Sequence, residues 1–232
     1  MKSAVSAAAL TERLEAVLTR IAAAAEKSGR SAAEVTLVAV TKTVERAMID
    51  QAYASGLRHF GENRVQDATR KFEQPLPVDA VLSMIGQLQS NKASIAVRLF
   101  HRIESVDRVS LIETLDRQAI KSGLAIPVLL QVNIAGEEQK AGCSADDVVH
   151  FARDISARAG LRLEGLMSIA PLVGDAEEVR PVFRGLRELR DRLQSCLPDT
   201  DLRTLSMGMT NDFEVAIEEG ATEVRIGRAI FG

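Results

Sequence analysis

The hydrophobic positions in the first thirty residues recur every three or four places along the chain. They are Leu10, Leu14, Val17, Leu18, Ile21, Ala24 and Ala25. This spacing puts the apolar side chains on one face of a helix, and the Gly29 that follows them is typical of a helix C-terminus. The pattern predicts an amphipathic N-terminal helix within residues 1–30.

After residue 30, short apolar runs alternate with longer segments of helical periodicity. The apolar runs are Val35–Thr41, Leu57–Phe60, Val81–Ile85, Phe100–Val106, Pro127–Asn133, Leu161–Ser168, Leu202–Ser206 and Glu223–Ile226. The helical patterns lie at about 44–55, 64–73, 89–98, 107–122, 144–158, 175–195 and 211–219. Strands that alternate with helices form right-handed βαβ units and a parallel sheet.

Eight such strands predict an α/β fold, a closed (β/α)8 barrel of the TIM type with the N-terminal helix packed on it. An open, doubly wound parallel sheet is the structural alternative. No linker, low-complexity tract or repeat divides the chain, so residues 1–232 are expected to form a single domain. A chain of this length buries roughly 70% of its unfolded surface and needs neither a disulfide nor a metal to hold its core.

Composition and charge exclude several classes of protein. The net charge is −3, from 29 basic and 32 acidic residues, so no excess of positive charge suggests nucleic-acid binding. Cys143 and Cys196 form no CxxC pair, and the three histidines lack the spacing of metal ligands, so we expect no metal site. There is no convincing signal segment and no apolar run of 18 residues, so we expect no membrane span and a cytoplasmic protein.

Polar residues and glycines collect where the predicted strands end. They are Lys42, Gly61-Glu62-Asn63, Gly86-Gln87, Asn133, Met167-Ser168, Ser206-Met207-Gly208 and Arg225-Ile226-Gly227. In a (β/α)8 barrel the strand ends and the loops that follow them build the functional site. The sequence therefore predicts a site at this end of the barrel.

Lys42 follows the first predicted strand, and the two-residue period of a strand puts it on the same face as Val38 and Val40. If these valines fill the barrel interior, Lys42 points into its mouth. Apolar surroundings disfavour the ammonium form, so the amine becomes available to attack a carbonyl group. The alternative is a lysine at a strand end that reaches into solvent.

Arg225 is predicted to enter the barrel from the last strand, because Val224 and Ile226 share the opposite face. A buried guanidinium needs an acceptor, and a bound ligand could supply one. An internal salt bridge with a glutamate or an aspartate is the alternative.

Two segments at the same end suit a phosphate group. Ser206-Met207-Gly208-Met209-Thr210 leads from the seventh strand into a helix, and Gly227-Arg228-Ala229 follows the eighth. Barrels often bind phosphate in the loops after these two strands. Hydroxyl groups, backbone N–H groups and glycines that permit close approach fit that use, although glycine in such a loop is often only part of a turn.

Several motifs, taken together, resemble the pyridoxal phosphate homeostasis protein family. They are Val38-Ala39-Val40-Thr41-Lys42, Gly61-Glu62-Asn63-Arg64-Val65-Gln66, Ile85-Gly86-Gln87-Leu88-Gln89-Ser90-Asn91-Lys92, Ser206-Met207-Gly208-Met209 and Arg225-Ile226-Gly227. The resemblance covers nearly the whole chain from about residue 35 and implies a monomeric barrel similar to the N-terminal domain of alanine racemase.

The resemblance also assigns the site to pyridoxal 5'-phosphate (PLP). It implies that Lys42 forms a Schiff base with the cofactor, that Asn63 lies near its ring and that Arg225 faces its pyridine nitrogen. Ser206 and Gly227 match the phosphate cradle, with the backbone around Met207 and Arg228 nearby. The chain departs from the family at 228, where a hydroxyl residue is common, and at Leu82-Ser83-Met84, where Trp-His-Phe is common.

An arginine at the pyridine nitrogen makes PLP a poorer electron sink, because arginine does not give up its proton. We expect no counterpart here of the second domain and the tyrosine base that alanine racemase uses, and Tyr53 falls in a predicted helix. The expectation is a PLP-binding protein with no catalytic residue, which limits free cofactor and hands it to apo-enzymes. An amino-acid racemase-like enzyme and a class I aldolase-like barrel for a sugar phosphate are the alternatives.

Overall fold

The computed structural model describes residues 7–137, 139 and 141–232, and in this range helices and strands alternate as predicted. The strands are β1 Thr36–Val40, β2 His59–Glu62, β3 Val81–Met84, β4 Arg102–Val106, β5 Ile126–Gln131, β6 Leu161–Met167, β7 Thr204–Ser206 and β8 Glu223–Ile226. The helices are α1 Ala7–Lys27, α2 Arg46–Ala54, α3 Val65–Lys71, α4 Ala93–Leu99, α5 Val109–Lys121, α6 Val148–Ser156, α7 Arg180–Cys196, α8 Phe213–Glu218 and α9 Arg228–Phe231.

The eight strands form a closed parallel barrel. Each strand pairs with the next along the chain, and β8 pairs with β1 through Val38 opposite Arg225. Closure leaves no free sheet edge, so the (β/α)8 prediction is confirmed and the open sheet is not formed.

The N-terminal helix α1 packs on the outside of the barrel against α8 and α9. Six apolar residues of the predicted face are buried, whereas Leu18 is 46% exposed and lies on the solvent side. Arg20 stacks on the ring of Phe213 and binds Glu214, so α1 is also fixed by polar contacts to α8. The predicted helix is therefore confirmed for the part of 1–30 that is described, and residues 1–6 lie outside it.

Alternation along the strands separates two packed regions. On β1, Leu37 and Ala39 belong to the core between the sheet and the helices, and on β8 Val224 and Ile226 do the same. The residues between them point into the barrel. This interior is unusually polar, and its buried members include Ser83, Glu104, Gln131, Ser206, Glu223 and Arg225.

Candidate functional site

A cavity of about 340 Å³ opens at the C-terminal end of the barrel, and we call it the mouth cavity. Val40 and Lys42, residues 170–172, residues 209–212, and Arg225, Gly227 and Arg228 line it. The segments that follow β1, β6, β7 and β8 thus meet here. Six of the residues singled out in the sequence come together here: Lys42, Met209, Thr210, Arg225, Gly227 and Arg228.

Lys42 lies at the rim of this cavity. The hydroxyl of Thr41 donates a hydrogen bond of 2.7 Å to Glu62 Oε1 on the helix side of the sheet, so the next residue turns the other way, as predicted. Lys42 is exposed and also lines a second cavity of about 290 Å³ together with Asn63 and Arg64. No carboxylate in the described ranges forms an ion pair with Lys42, and its amine stands free where the two cavities adjoin.

Arg225 is buried at the floor of the mouth cavity, with 4% of its surface exposed. Its Nη1 donates a hydrogen bond of 2.6 Å to the hydroxyl of Ser206, and its Nη2 donates one of 2.8 Å to the carbonyl oxygen of Ser168. No carboxylate of the described chain pairs with it directly, so the predicted alternative of a direct salt bridge is not what forms. Burial lowers the pKa of Arg225, and the nearby carboxylates of Glu104 and Glu223 oppose that effect.

Ser206 lies behind Arg225, inside the barrel. Its hydroxyl accepts from Arg225 and donates a hydrogen bond of 2.8 Å to Glu104 Oε2. Because a hydroxyl carries one hydrogen, none remains for a second acceptor. The side chain of Ser206 is therefore committed to Arg225 and Glu104, and it is not part of the lining of the mouth cavity.

Met207 is fully buried in the core between sheet and helices, and its N–H donates to the carbonyl oxygen of Glu223 at 3.1 Å. It does not line the mouth cavity. The structure thus brings neither its side chain nor a free N–H of this residue to the site.

Gly227 is needed for close packing of the last strand on the first. A Cβ at this position would lie 3.1 Å from the carbonyl oxygen of Val40 and 3.2 Å from its Cβ. The absence of a side chain therefore allows close contact with β1 at this wall of the cavity. Arg228, the next residue, is exposed at the rim and begins α9.

Asn63 lies beside the mouth cavity, in the segment after β2. It lines the 290 Å³ cavity with Lys42 and a further cavity of about 580 Å³ that extends towards Gln87 and Lys92. Gly86 permits this arrangement, because a Cβ there would lie 2.3 Å from the carbonyl oxygen of Asn63.

Four charged residues form a network below the mouth cavity; three are buried, and the fourth, Arg102, has 12% of its side chain exposed. Arg102 binds Glu104 Oε1 at 2.9 Å and also contacts Glu223, while Arg225 reaches Glu104 through Ser206. Burial and the negative charge of Glu104 raise the pKa of Glu223 to about 7. Although burial favours its neutral form, the guanidinium groups of Arg102 and Arg225 hold the pKa of Glu104 below its usual range.

Reasoning from the sequence missed three residues that hold this site together. Glu104 and Glu223 occupy interior positions of their strands, and Asp212 accepts a hydrogen bond of 2.6 Å from the N–H of Met209 in the loop after β7. A charged residue inside an apolar strand run was the available signal for the two glutamates. In the described ranges no group of histidine, cysteine and acidic residues could hold a metal ion, and no helix is long and apolar enough to cross a membrane.

The closed barrel with a cavity at the C-terminal end of its strands defines a (β/α)8 protein, and its match to a family model makes it a barrel of the alanine racemase type. A family model described as "Alanine racemase, N-terminal domain" matches residues 13–232. A solved structure of PipY from Synechococcus elongatus PCC7942, with PLP bound, is 39% identical and has a TM-score of 0.84. That similarity covers 96% of this chain and 100% of the PipY chain.

Two named relatives are similar to this chain over almost their whole length. The pyridoxal phosphate homeostasis protein of Aquifex aeolicus is 42% identical over 221 residues, which are 95% of this chain and 96% of that protein. The protein of the same name in Pseudomonas aeruginosa is 40% identical over 223 residues, 96% and 95% of the two chains. The chain belongs to the pyridoxal phosphate homeostasis protein family, and the resemblance seen in its motifs is confirmed.

Proposed function

We propose that this protein binds PLP as a Schiff base on Lys42 and takes part in PLP homeostasis without catalytic turnover. The observation that carries the proposal is the pairing of a free amine, Lys42, with a buried guanidinium, Arg225, around one cavity. Relatives named for PLP homeostasis and the PLP-bound PipY structure support the choice of cofactor.

The residues of the mouth cavity fit such a ligand. Its volume of about 340 Å³ lies in the range of small-molecule sites, which combine apolar walls with a few polar groups. Val40, Pro171 and Leu172 supply apolar surface for an aromatic ring, and cationic groups stand at the floor and the rim. When bound, PLP supplies an aldehyde that condenses with amines and a ring that withdraws electrons.

Five of the seven residues predicted to bind the cofactor have a place in this proposal. Arg225 would face the pyridine nitrogen, and Asn63 would lie beside the ring from the adjoining cavity. Gly227 and Arg228 are proposed to receive the phosphate, and a guanidinium at 228 replaces a hydroxyl contact with a charge-assisted one. For Ser206 and Met207 a phosphate contact stays a prediction of the resemblance, since neither lines the cavity.

The proposal of binding without turnover rests on the residues that line the mouth cavity, which do not include a tyrosine base. The one tyrosine, Tyr53, lies on α2 and donates its hydroxyl hydrogen to Asp79 Oδ1 at 2.5 Å, away from the residues of the mouth cavity. Arg225 does not protonate a ring nitrogen. Besides Lys42, the acid–base group in the lining is the carboxylate of Asp212, which accepts the N–H of Met209 at 2.6 Å; no tyrosine or histidine is among the lining residues.

The first test is the visible absorption spectrum of the purified protein with added PLP. We expect a Schiff-base band in the wild type and none in Lys42→Ala, because only Lys42 presents an unpaired amine to the cavity. Lys121→Ala is the matched control, since Lys121 is exposed at the end of α5 and the variant should keep the band. A band that survives in Lys42→Ala would remove the central residue of the proposal.

A second candidate, an amino-acid racemase-like enzyme, is favoured by the match to the alanine racemase domain model. Lys42 could then act as a one-sided base. We expect no racemisation of single amino acids above that of PLP alone, measured by chiral chromatography of the L and D forms. Robust turnover that is lost in Lys42→Ala would favour the enzyme over the binding protein.

The location and partners follow as further parts of the proposal. We infer a cytoplasmic monomer that limits free PLP and hands it to apo-enzymes. A net charge of −3 gives no reason to add a nucleic acid to its partners. The elution volume of the PLP-loaded protein in size-exclusion chromatography tests the monomeric state.

A further inference from the structure

Glu104 lies at the far end of a hydrogen-bonded chain that ends in the mouth cavity. The Ser206 hydroxyl donates to Glu104 Oε2 at 2.8 Å and accepts from Arg225 Nη1 at 2.6 Å. The three side chains come from β4, β7 and β8, and at most 4% of each is exposed. In a buried series of hydrogen bonds of this kind, the groups polarise one another, so the charge at one end affects the hydrogen bonds at the other.

Glu104 sets the donor-to-acceptor direction of these hydrogen bonds. A carboxylate can only accept, so the single hydrogen of Ser206 must point towards Glu104 and its lone pair towards Arg225. This leaves the guanidinium held by two acceptors, Ser206 Oγ and the Ser168 carbonyl oxygen. Its other N–H groups are not used by these bonds.

The charge of Glu104 is maintained by its surroundings. The charged and titratable groups that face it are Arg102, Glu223, Arg225 and, at longer range, His59. Arg102 lies 2.9 Å from Oε1. Of the two carboxyl groups it is Glu223 whose pKa is raised, by burial and by the negative charge of Glu104. The positive charge of Arg225 is thus balanced by Glu104 through one hydroxyl group, and not by a direct ion pair.

We propose that Glu104 is a positioning residue for the cofactor: acting through Ser206, it orients the guanidinium of Arg225 at the cavity floor and neutralises its charge. This inference rests on the proposed function, because it concerns the contact that Arg225 makes with bound PLP. It adds Glu104, which does not line the mouth cavity, to the residues that influence PLP binding.

The test uses the PLP-loaded protein and the near-isosteric variant Glu104→Gln. We expect PLP release, followed as loss of the Schiff-base band after transfer to cofactor-free buffer, to become about three- to tenfold faster, the size expected when an ordinary hydrogen bond is lost. We also expect the pH midpoint of the band to fall by about one unit, since an uncompensated positive charge disfavours a protonated Schiff base. A merely structural role would not shift that midpoint.

The matched control is Glu219→Gln. Glu219 is also a buried glutamate bound by arginines, but its partners Arg180, Arg184 and Arg187 lie on α7, outside the barrel. The Glu219→Gln variant should leave both the rate of PLP release and the pH midpoint of the band unchanged. Circular dichroism and the thermal midpoint of each variant show whether the fold is kept.

A double variant tests whether Glu104 acts through Ser206. In the Ser206→Ala background, Glu104→Gln should change the release rate less than about twofold, because the link is already broken. Effects that multiply in the double variant would overturn the proposal, as would a Glu104→Gln protein with wild-type release and midpoint. If Glu104→Gln does not fold, Ser206→Ala must itself speed release, and unchanged release would overturn the proposal. A wild type with no band at all would instead defeat the proposed function.

Discussion

At the scale of single residues, the site depends on buried charges whose partners lie on distant strands. Alternation along β8 predicts that Arg225 enters the barrel, and it does. The same rule applied to β4 places Glu104 inside. However, strand alternation says nothing about which interior residues meet, because that depends on the stagger of the closed barrel. The Glu104–Ser206–Arg225 chain therefore could not be predicted from the sequence.

Glu223 gives a prediction for the pH dependence of stability. Its pKa is raised to about 7 in the folded protein from an ordinary value of 4.5, so the folded state binds the proton more tightly than the unfolded chain. The resulting stabilisation is complete below about pH 4.5 and is lost as the pH rises through 7. We expect Glu223→Gln, which cannot ionise, to gain on the order of 2 kcal/mol relative to the wild type between pH 5 and pH 8.

Urea unfolding at several pH values measures this difference. Glu104→Gln is the control, because its stability relative to the wild type should change with pH in the opposite direction. The pKa of Glu104 is held below its usual range, so its stabilisation is present above the usual pKa and is lost as the pH falls. A Glu223→Gln protein whose stability changes with pH in parallel with that of the wild type across this range would contradict the raised pKa of Glu223.

At the scale of elements, the apolar pattern predicts the long helices better than the short ones. The segment predicted as a helix at 89–98 starts as a 3-10 turn, Ser90–Lys92, before α4. The helix α9 was not predicted, because four residues are too few to show a period. Gly86 also has a role that the pattern does not reveal, since it accommodates the backbone of Asn63 from the neighbouring loop.

The helix α1 offers a matched pair of leucines for a test of packing. Leu14 is 3% exposed and Leu18 is 46% exposed, although both fit the helical spacing. We expect Leu14→Ala to lower the free energy of unfolding by about 2–4 kcal/mol, as for other buried leucines. Leu18→Ala should change it by less than about 0.5 kcal/mol. Equal losses in urea denaturation would show that α1 does not dock on α8 and α9 as described.

At the scale of the whole molecule, closure of the barrel creates the site. Residues 42 and 225 are far apart in the chain, and they share a cavity because β8 pairs with β1. The count of eight strand-like runs predicts this closure, and the family resemblance assigns the lysine and the arginine. The residues that support them from inside the barrel, Glu104 and Ser206 among them, emerge only from the folded geometry.

The charged residues inside the barrel have a consequence for how the sequence can evolve. Arg102, Glu104 and Arg225 share the space below the mouth cavity with Glu223, and the loss of Glu104 leaves two guanidinium groups without their shared carboxylate. Single substitutions of Glu104 should therefore be poorly tolerated unless a second replacement removes a positive charge, whereas Glu223 should accept glutamine. A genetic selection for revertants of a damaged Glu104 should recover second-site suppressors at Arg102 or Arg225 before any on the outer surface.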